Sequence, residues 1–374
     1  MKINSKNHKI AIDCRFYANS NGIGNYIRAL LDYLYKHDQQ NRYFLLGTSA
    51  NQTELQAAYP RWEAIDTQAP HYSLAEQTKL TLLLYRLKPD LLHLTNFNGP
   101  ILHFGKKIIT IHDLTLHRFP GQKLNKLWHR LAYKLIFWLN CKTSKKIITV
   151  SDSTANDLKT TYPGLTNKII PIRLGVGNEF KQSNYSNLQT TYNLPTTYLL
   201  YTGNWREHKN LDNLIYAFQI LQQKHNYKGG LVITGKPNQH HDNLPALVKK
   251  LNLNNVHFPG LIPLDDLPSL YHHAQAYVFP SYYEGFGLPL LEAMQTGTAT
   301  VASNRTSLPE VGGNATIYFD PENPSDIAAK INQVVCDSNL RESLIKNGYE
   351  RIKEFSFDKM ASKTYELYNQ CLKN

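Results

Sequence analysis

At 374 residues, with 42% hydrophobic and 19% charged residues, the chain is long enough for about two cored domains and too apolar for a disordered protein. A formal charge of +12 at pH 7 points to an anionic partner, such as nucleic acid, phospholipid or a phosphorylated substrate, without choosing among them. Cys14, Cys141, Cys336 and Cys371 lack Cys-x-x-Cys spacing, the N-terminus lacks an apolar signal core, and no apolar run reaches the length of about 18 needed to span a bilayer; zinc-finger, disulfide-scaffold, secreted and membrane-spanning classes all fit poorly, and a reducing cytoplasm fits well.

Short β-branched runs, each followed by a helical pattern, occur at 10–13, 43–46, 91–94, 108–111 and 147–150, then again at 198–201, 231–234, 256–258, 276–279, 300–302 and 317–319. Strands alternating with helices predict two doubly wound parallel sheets in tandem. Residues 178–197, rich in Asn, Ser, Gln and Thr, mark a linker and set the boundary near residue 180. After the first strand, Gly22-Ile-Gly24-Asn-Tyr-Ile27 carries two glycines of a dinucleotide fingerprint but Ile27 where the third would fall. Its glycines would let a loop approach a ligand closely, and Ile23, Ile27, Leu30, Leu31 and Leu34 supply the buried stripe of the next helix. His112-Asp113 ends an apolar strand, where a polar pair serves a ligand better than a core, although a structural hydrogen bond is the commoner use of such a pair. Basic residues from Lys106 to Lys146 alternate with Trp128, Tyr133, Phe137 and Trp138. Within that stretch, 131–139 is predicted to be an amphipathic helix facing the core.

In the second half, the strand ending at Tyr201 leads into Thr-Gly203-Asn-Trp-Arg206-Glu-His-Lys209. Arg206 offers a planar fork and Lys209 a compact ammonium to a diphosphate; in isolation both would be ordinary loop cations. Gln275-Ala-Tyr-Val-Phe279, then Ser281-Tyr-Tyr-Glu284-Gly-Phe-Gly-Leu-Pro-Leu-Leu-Glu292, predicts strand, loop and helix, with Pro289 in the first turn. At such a junction the amides of Gly285, Phe286, Gly287 and Leu288 would converge where the helix dipole favours an anion. Glu284 and Glu292 could then accept hydrogen bonds from hydroxyls flanking that anion, as a sugar nucleotide would present them; either one alone would more often be a solvated surface carboxylate. His240-His241 and His272-His273 lack metal-ligand spacing and are predicted to lie on the surface.

Glu284, seven residues, then Glu292, with Gly-Phe-Gly after the first, resembles the signature of the family 4 retaining glycosyltransferases of the GT-B fold. The run from Tyr201 to Leu211 is similar to that family's phosphate-clamp segment, and the run from Ser303 to Gly312 to the loop beyond its double-Glu helix. Thr110-Ile-His112-Asp113-Leu114 and Gly22-Ile-Gly24 fall where the family carries its acceptor-side His and its glycine loop. The resemblance covers nearly the whole chain in order. It implies two Rossmann-like doubly wound parallel-sheet domains facing across a cleft: 1–180 on the acceptor side, 181–356 binding the nucleotide-sugar donor, and a final helix, 357–374, crossing back. It further implies that Glu292 holds the ribose and that Glu284 contacts the donor sugar beside the amides of Gly285 to Leu288. Gly203, Arg206 and Lys209 would surround the diphosphate, and Gly22 and Gly24 would approach it or the acceptor from the other domain. The base would stack near Gly235-Lys236-Pro237 and residues 257–262, ending at Ile262. His112 would contact the donor sugar, Asp113 would orient the imidazole or the acceptor hydroxyl, and the leaving phosphate would take the acceptor proton. Where many relatives have Arg just before the Lys, this chain has His208, so the match at Arg206 is looser than at Lys209.

No Asp-x-Asp occurs, which removes the divalent-metal signature of the other large glycosyltransferase fold; the resemblance thus implies no metal and no cofactor beyond the nucleotide sugar. The overall likeness is to bacterial mannosyltransferases of O-antigen and exopolysaccharide assembly. It implies a hexosyltransferase using GDP-mannose and a lipid-linked or cell-surface polysaccharide acceptor. The basic, aromatic stretch 123–146 suggests peripheral attachment to an anionic membrane from the cytoplasmic side. A nucleotide-sugar epimerase on the same fold is the alternative. A nucleic-acid-binding module fits poorly, because the motifs surround one small-ligand site rather than an extended basic surface.

Overall fold

The computed structural model describes residues 7–18, 22–121, 126–181, 185–236 and 243–373. Among these, thirteen strands form two all-parallel sheets. The first sheet contains β1 (Lys9–Asp13), β2 (Arg42–Gly47), β3 (Glu63–Asp66), β4 (Leu91–Leu94), β5 (Lys107–Ile111), β6 (Lys146–Thr149) and β7 (Ile169–Pro171), in the order β3-β2-β1-β4-β5-β6-β7. The second contains β8 (Tyr198–Tyr201), β9 (Gly230–Thr234), β10 (Val256–Gly260), β11 (Ala276–Phe279), β12 (Thr300–Ser303) and β13 (Thr316–Phe319), in the order β10-β9-β8-β11-β12-β13. Both follow the Rossmann order, which reverses between β1 and β4 in one sheet and between β8 and β11 in the other.

Strands β4, β5, β8, β9, β11 and β12 are buried along their whole length. Helices cover both faces of such a sheet, so its inner strands are continuous apolar runs rather than alternating ones. The two strands missing from the sequence reading, β3 and β7, are at the edges. β3 opens on an exposed glutamate, and β7 ends in a proline that cannot donate to a ladder.

The chain divides into two compact units, Met1–Gly175 with Phe357–Asn374, and Val176–Ser356. The break precedes residue 180 because Val176 pairs with Ser356 in an isolated parallel bridge, closing the second unit on itself. Phe180 and Leu194 are buried, the former edge-on to Tyr271, so much of the polar 178–197 segment belongs to that unit.

In the first unit, the helix Phe357–Lys373 buries Met360, Ala361, Thr364, Leu367, Tyr368 and Cys371, a stripe with helical spacing. The Tyr368 hydroxyl lies 2.6 Å from His93 Nδ1, His93 Nε2 lies 2.9 Å from Thr110 Oγ1, and that oxygen is 3.0 Å from the Tyr26 hydroxyl. A polar thread thus crosses the core from the last helix through β4 and β5 to the helix Gly22–His37. Burial pushes the His93 pKa down to about 3, so its ring is neutral.

Two sequence expectations change here. Gly22 and Gly24 lie in the first turn of the helix Gly22–His37 rather than in a loop, with Gly24 buried. The helix Leu127–Thr143 turns Tyr133, Phe137, Asn140 and Cys141 inward, leaving Leu127, Trp128, Leu131 and Leu135 exposed, so part of the stretch expected to face the core faces out. Lys123, Pro237, His240 and His241 lie outside the described residues.

Tyr368→Phe would leave His93 Nδ1 without its partner in an apolar site, and should lower stability by about 1–3 kcal/mol. The readout is the urea midpoint; an unchanged midpoint would show that the thread contributes nothing to docking the last helix.

Candidate functional site

The second unit gathers its polar residues where the strand order reverses. The loop after β8 brings Lys209 to the loop after β11, where Lys209 Nζ lies 2.6 Å from Glu284 Oε1. The two side chains are 16% and 13% exposed, sheltered yet reachable. Lys209 also stands 5.6 Å from the Phe279 ring. Arg206 lies outside this pair: its side chain is exposed and has no partner among the described residues, while its carbonyl accepts the Lys209 amide. His208, at the departure from the family pattern, is buried.

Glycines let the loops meet. Gly235 has φ 105°, and a Cβ there would fall 1.8 Å from the Gly203 carbonyl oxygen, so the turns after β8 and β9 require glycine at this contact. The Gly235 amide donates to the Gly260 carbonyl at the end of β10, two residues before half-buried Ile262.

The double-Glu segment is strand, loop and helix. The helix Leu288–Gln295 begins after Gly287 at φ 110°, and no side chain caps it. Two residues of the 303–312 run, neither assigned a role from the sequence, shape its approach. Thr306 Oγ1 accepts the Glu284 amide at 3.0 Å, and the Ser307 hydroxyl contacts the carbonyls of Glu284 and Phe286 at 3.0 and 2.7 Å. Thr306 itself has φ 52°, unusual for a β-branched residue. Phe286 is buried edge-on to Phe355.

Glu292 points elsewhere. Its Oε2 accepts the Tyr271 hydroxyl at 2.8 Å, and that hydroxyl lies 2.6 Å from Thr202 Oγ1. Burial, with a smaller push from Glu179, raises the Glu292 pKa to about 7 against the pull of Tyr271. Buried Tyr277 senses both Glu292 and Glu284, and its hydroxyl is pushed well up, chiefly by burial. The two carboxylates therefore differ in state: Glu284 is ion-paired to Lys209, and Glu292, hydrogen-bonded to Tyr271, has its pKa raised to about 7 by burial.

The first unit holds its own group at the strand ends. His112 Nε2 lies 2.9 Å from the Thr95 carbonyl, which can only accept, so Nε2 carries the proton. Burial pushes the imidazole pKa down, opposed by the Thr95 carbonyl and Asp113, and Tyr26 packs edge-on 5.3 Å away. The ring is thereby held by Thr95 rather than by Asp113, whose Oδ1 accepts the Thr115 amide at 2.7 Å. In neutral form His112 offers Nδ1 as an acceptor.

Paired Rossmann-like units of this order, each with polar groups at the carboxyl ends of its strands, define a GT-B protein. The model for Glycosyltransferase Family 4 matches residues 20–179, and that for Glycosyl transferases group 1 matches 189–351. The O-antigen chain mannosyltransferase B of Escherichia coli is 30% identical over 302 residues, covering 79% of this chain and 78% of its own. The chain belongs to the group 1, family 4 glycosyltransferases. It is also 30% identical over 237 residues to the serotype-specific mannosyltransferase WbdA of Escherichia coli, a match over 61% of this chain that spans only 29% of that longer protein. Among solved structures, sucrose-phosphate synthase from Thermosynechococcus elongatus shares the fold, with a TM-score of 0.77 at 20% identity over 97% of this chain and 98% of that one. The epimerase alternative finds no support in these matches.

Because the Glu292 pKa is raised from 4.5 to about 7 in the folded state, its ionisation opposes folding increasingly as pH rises from 4.5 through 7. Glu292→Gln keeps an acceptor for Tyr271 and should raise the melting temperature at pH 8 but not at pH 4. A gain independent of pH would contradict the raised pKa.

Proposed function

We propose that this glycosyltransferase moves mannose from GDP-mannose to a hydroxyl of a lipid-linked polysaccharide, with retention at the anomeric carbon and without a metal ion. The observation that carries the reading is the Lys209–Glu284 pair at the strand-order reversal of the second sheet. The names of the mannosyltransferase relatives support the sugar, and the absence of Asp-x-Asp in the sequence supports metal independence.

Glu284 occupies the ammonium that a diphosphate would need. On donor binding, phosphate oxygens take Lys209 and release Glu284 to the sugar hydroxyls, while Glu292 accepts the ribose hydroxyls. The acceptor oxygen bonds to C1 as the bond from C1 to the diphosphate oxygen breaks, and the acceptor proton passes to the departing phosphate. Lys209, aided by Arg206, offsets the charge that develops there. Neutral His112 accepts a sugar hydroxyl at Nδ1, and Asp113 keeps one carboxylate oxygen for the acceptor.

The helix Leu127–Thr143 supports attachment at the inner face of an anionic membrane. Leu127, Trp128, Leu131 and Leu135 are 72%, 62%, 60% and 53% exposed, beside Arg130 and Lys134. An apolar stripe flanked by cations is the pattern of an interfacial helix, each cation contributing about 1 kcal/mol near anionic lipid. Among the described residues, no helix is long and apolar enough to cross a membrane.

Lys209→Ala should slow transfer by roughly 100-fold or more, about 2.7 kcal/mol, with near wild-type turnover rejecting the clamp. In a thermal-shift panel of GDP-, UDP-, dTDP- and ADP-sugars, GDP-mannose should stabilise most, by about 2.7 kcal/mol at 100 times its dissociation constant; a larger shift from another donor would replace it. The double variant Trp128→Ser, Leu131→Ser should lose binding to phosphatidylglycerol vesicles at low salt, and retained binding would remove this helix from membrane attachment.

A further inference from the structure

The first unit contains a buried charge cluster that the donor motifs do not use. Arg15 follows β1 with a side chain 0% exposed. Its guanidinium grips Asp13 with two prongs, Nε to Oδ1 at 2.9 Å and Nη2 to Oδ2 at 2.7 Å, and reaches Glu76 at 3.4 Å. Burial works against ionisation of Asp13, but Arg15 outweighs it and holds the carboxyl below its usual range. For Glu76, burial prevails over Arg15 and raises the pKa. Desolvating such groups costs several kcal/mol each.

What the cluster holds is the loop between β3 and the helix Leu74–Leu87. This loop crosses the carboxyl ends of β2, β1 and β4 in turn. The Thr67 amide donates to the Gly47 carbonyl at 3.1 Å, Arg15 Nη1 to the Ala69 carbonyl at 3.2 Å, and Asn98 Nδ2 lies 3.1 Å from His71 Nδ1. Glu76 then accepts the Tyr72 amide at 2.8 Å, while Asn98 braces the other Glu76 oxygen at 3.1 Å. The loop ends at the β1/β4 reversal, where open α/β sheets bind ligands.

Its backbone is forced. Gln68 and Tyr72 have φ of 48° and 60°, left-handed conformations at residues that are not glycine. Each costs on the order of 1–3 kcal/mol and persists only where the surroundings dictate it. The result is a tyrosine 59% exposed, its ring 5.8 Å from Phe97, while burial of its hydroxyl end, then the charges of Glu76 and Asp113, push that hydroxyl up to about 12 against a hydrogen bond with Asn96. Asn98 Oδ1 and His71 Nε2 are buried without hydrogen-bond partners, the kind of orphaned polar atom that calls for a further partner.

We propose that Tyr72 is a stacking platform for a pyranose ring of the acceptor glycan, held in place by Asp13, Arg15, Glu76 and Asn98. A pyranose has a face of C–H bonds and a rim of hydroxyls. The electron-rich face of Tyr72 takes the first, and the half-buried carboxylate of Asp113, of which Oδ1 accepts the Thr115 amide, takes the second through its other oxygen. Tyr72 is thereby a specificity residue rather than a catalytic one. The inference rests on the reading of this chain as a polysaccharide-extending transferase.

Asn tolerates left-handed backbone, so Tyr72→Asn removes the ring while keeping the loop, and Tyr72→Phe keeps the ring. Saturation-transfer NMR with free trisaccharides of mannose, glucose and galactose reads sugar binding; thermal shift with nucleotide sugars reads the donor side. We expect wild type and Tyr72→Phe to bind at least one trisaccharide through its C–H protons. Tyr72→Asn should weaken that binding 10-fold or more with donor shifts unchanged. Wild-type binding by Tyr72→Asn, or no trisaccharide binding to the wild type, overturns the platform. Trisaccharide binding that depends on Tyr72 in a protein that binds no nucleotide sugar would support the platform while removing the transferase reading.

Discussion

Reversal of strand order is the constraint on which the rest depends. All strands of a parallel sheet end at one edge, and the connections above that edge part only where successive crossovers leave in opposite directions. In the second sheet this happens between β8 and β11, whose following loops carry Lys209 and Glu284. In the first it happens between β1 and β4, followed by Arg15 and by Asn96 and Asn98. The chemistry sits on loops, but the loops hang from strands that are buried along their length.

The two best-defined ion pairs divide the work by solvation. Lys209 and Glu284, 16% and 13% exposed, keep partial contact with water, through which a ligand can reach the pair and replace one partner. Asp13 and Arg15 have lost that contact, and separating a buried pair costs about 3–5 kcal/mol. One pair therefore suits a site that must change partners, the other a scaffold that must not. The same contrast separates His112, held by one carbonyl with a ring nitrogen to spare, from His93, whose two nitrogens are both committed within the core.

Much of this was legible in the sequence, for physical reasons. Inner parallel strands are buried on both faces, so their composition announces them. The double-Glu segment carries Gly287 and Pro289, whose backbone preferences mark the loop and the helix start. Edge strands β3 and β7 lack that signal. The helix Leu127–Thr143 was visible, but its periodicity could not say which of two apolar stripes would face in. Tyr133, Phe137 and Cys141 take the inner face, leaving Leu131 and Leu135 outside. Least legible were Tyr72 and Thr306, whose positive φ follows from distant anchors and not from any residue type that favours it. Arg15 was also missed, since a cation just beyond a strand gives no hint that it will be enclosed.

The polar thread from Tyr368 to Tyr26 sets an order of events during synthesis. His93, Thr110 and Tyr26 are made early, yet their partner arrives only after the whole of Val176–Ser356 has been translated. At about 5–20 residues per second, that interval lasts on the order of tens of seconds. The second unit is contiguous and can close as soon as it emerges. The first must wait with the seat of its last helix uncovered, so the half of the protein that leaves the ribosome first is the half that finishes folding last.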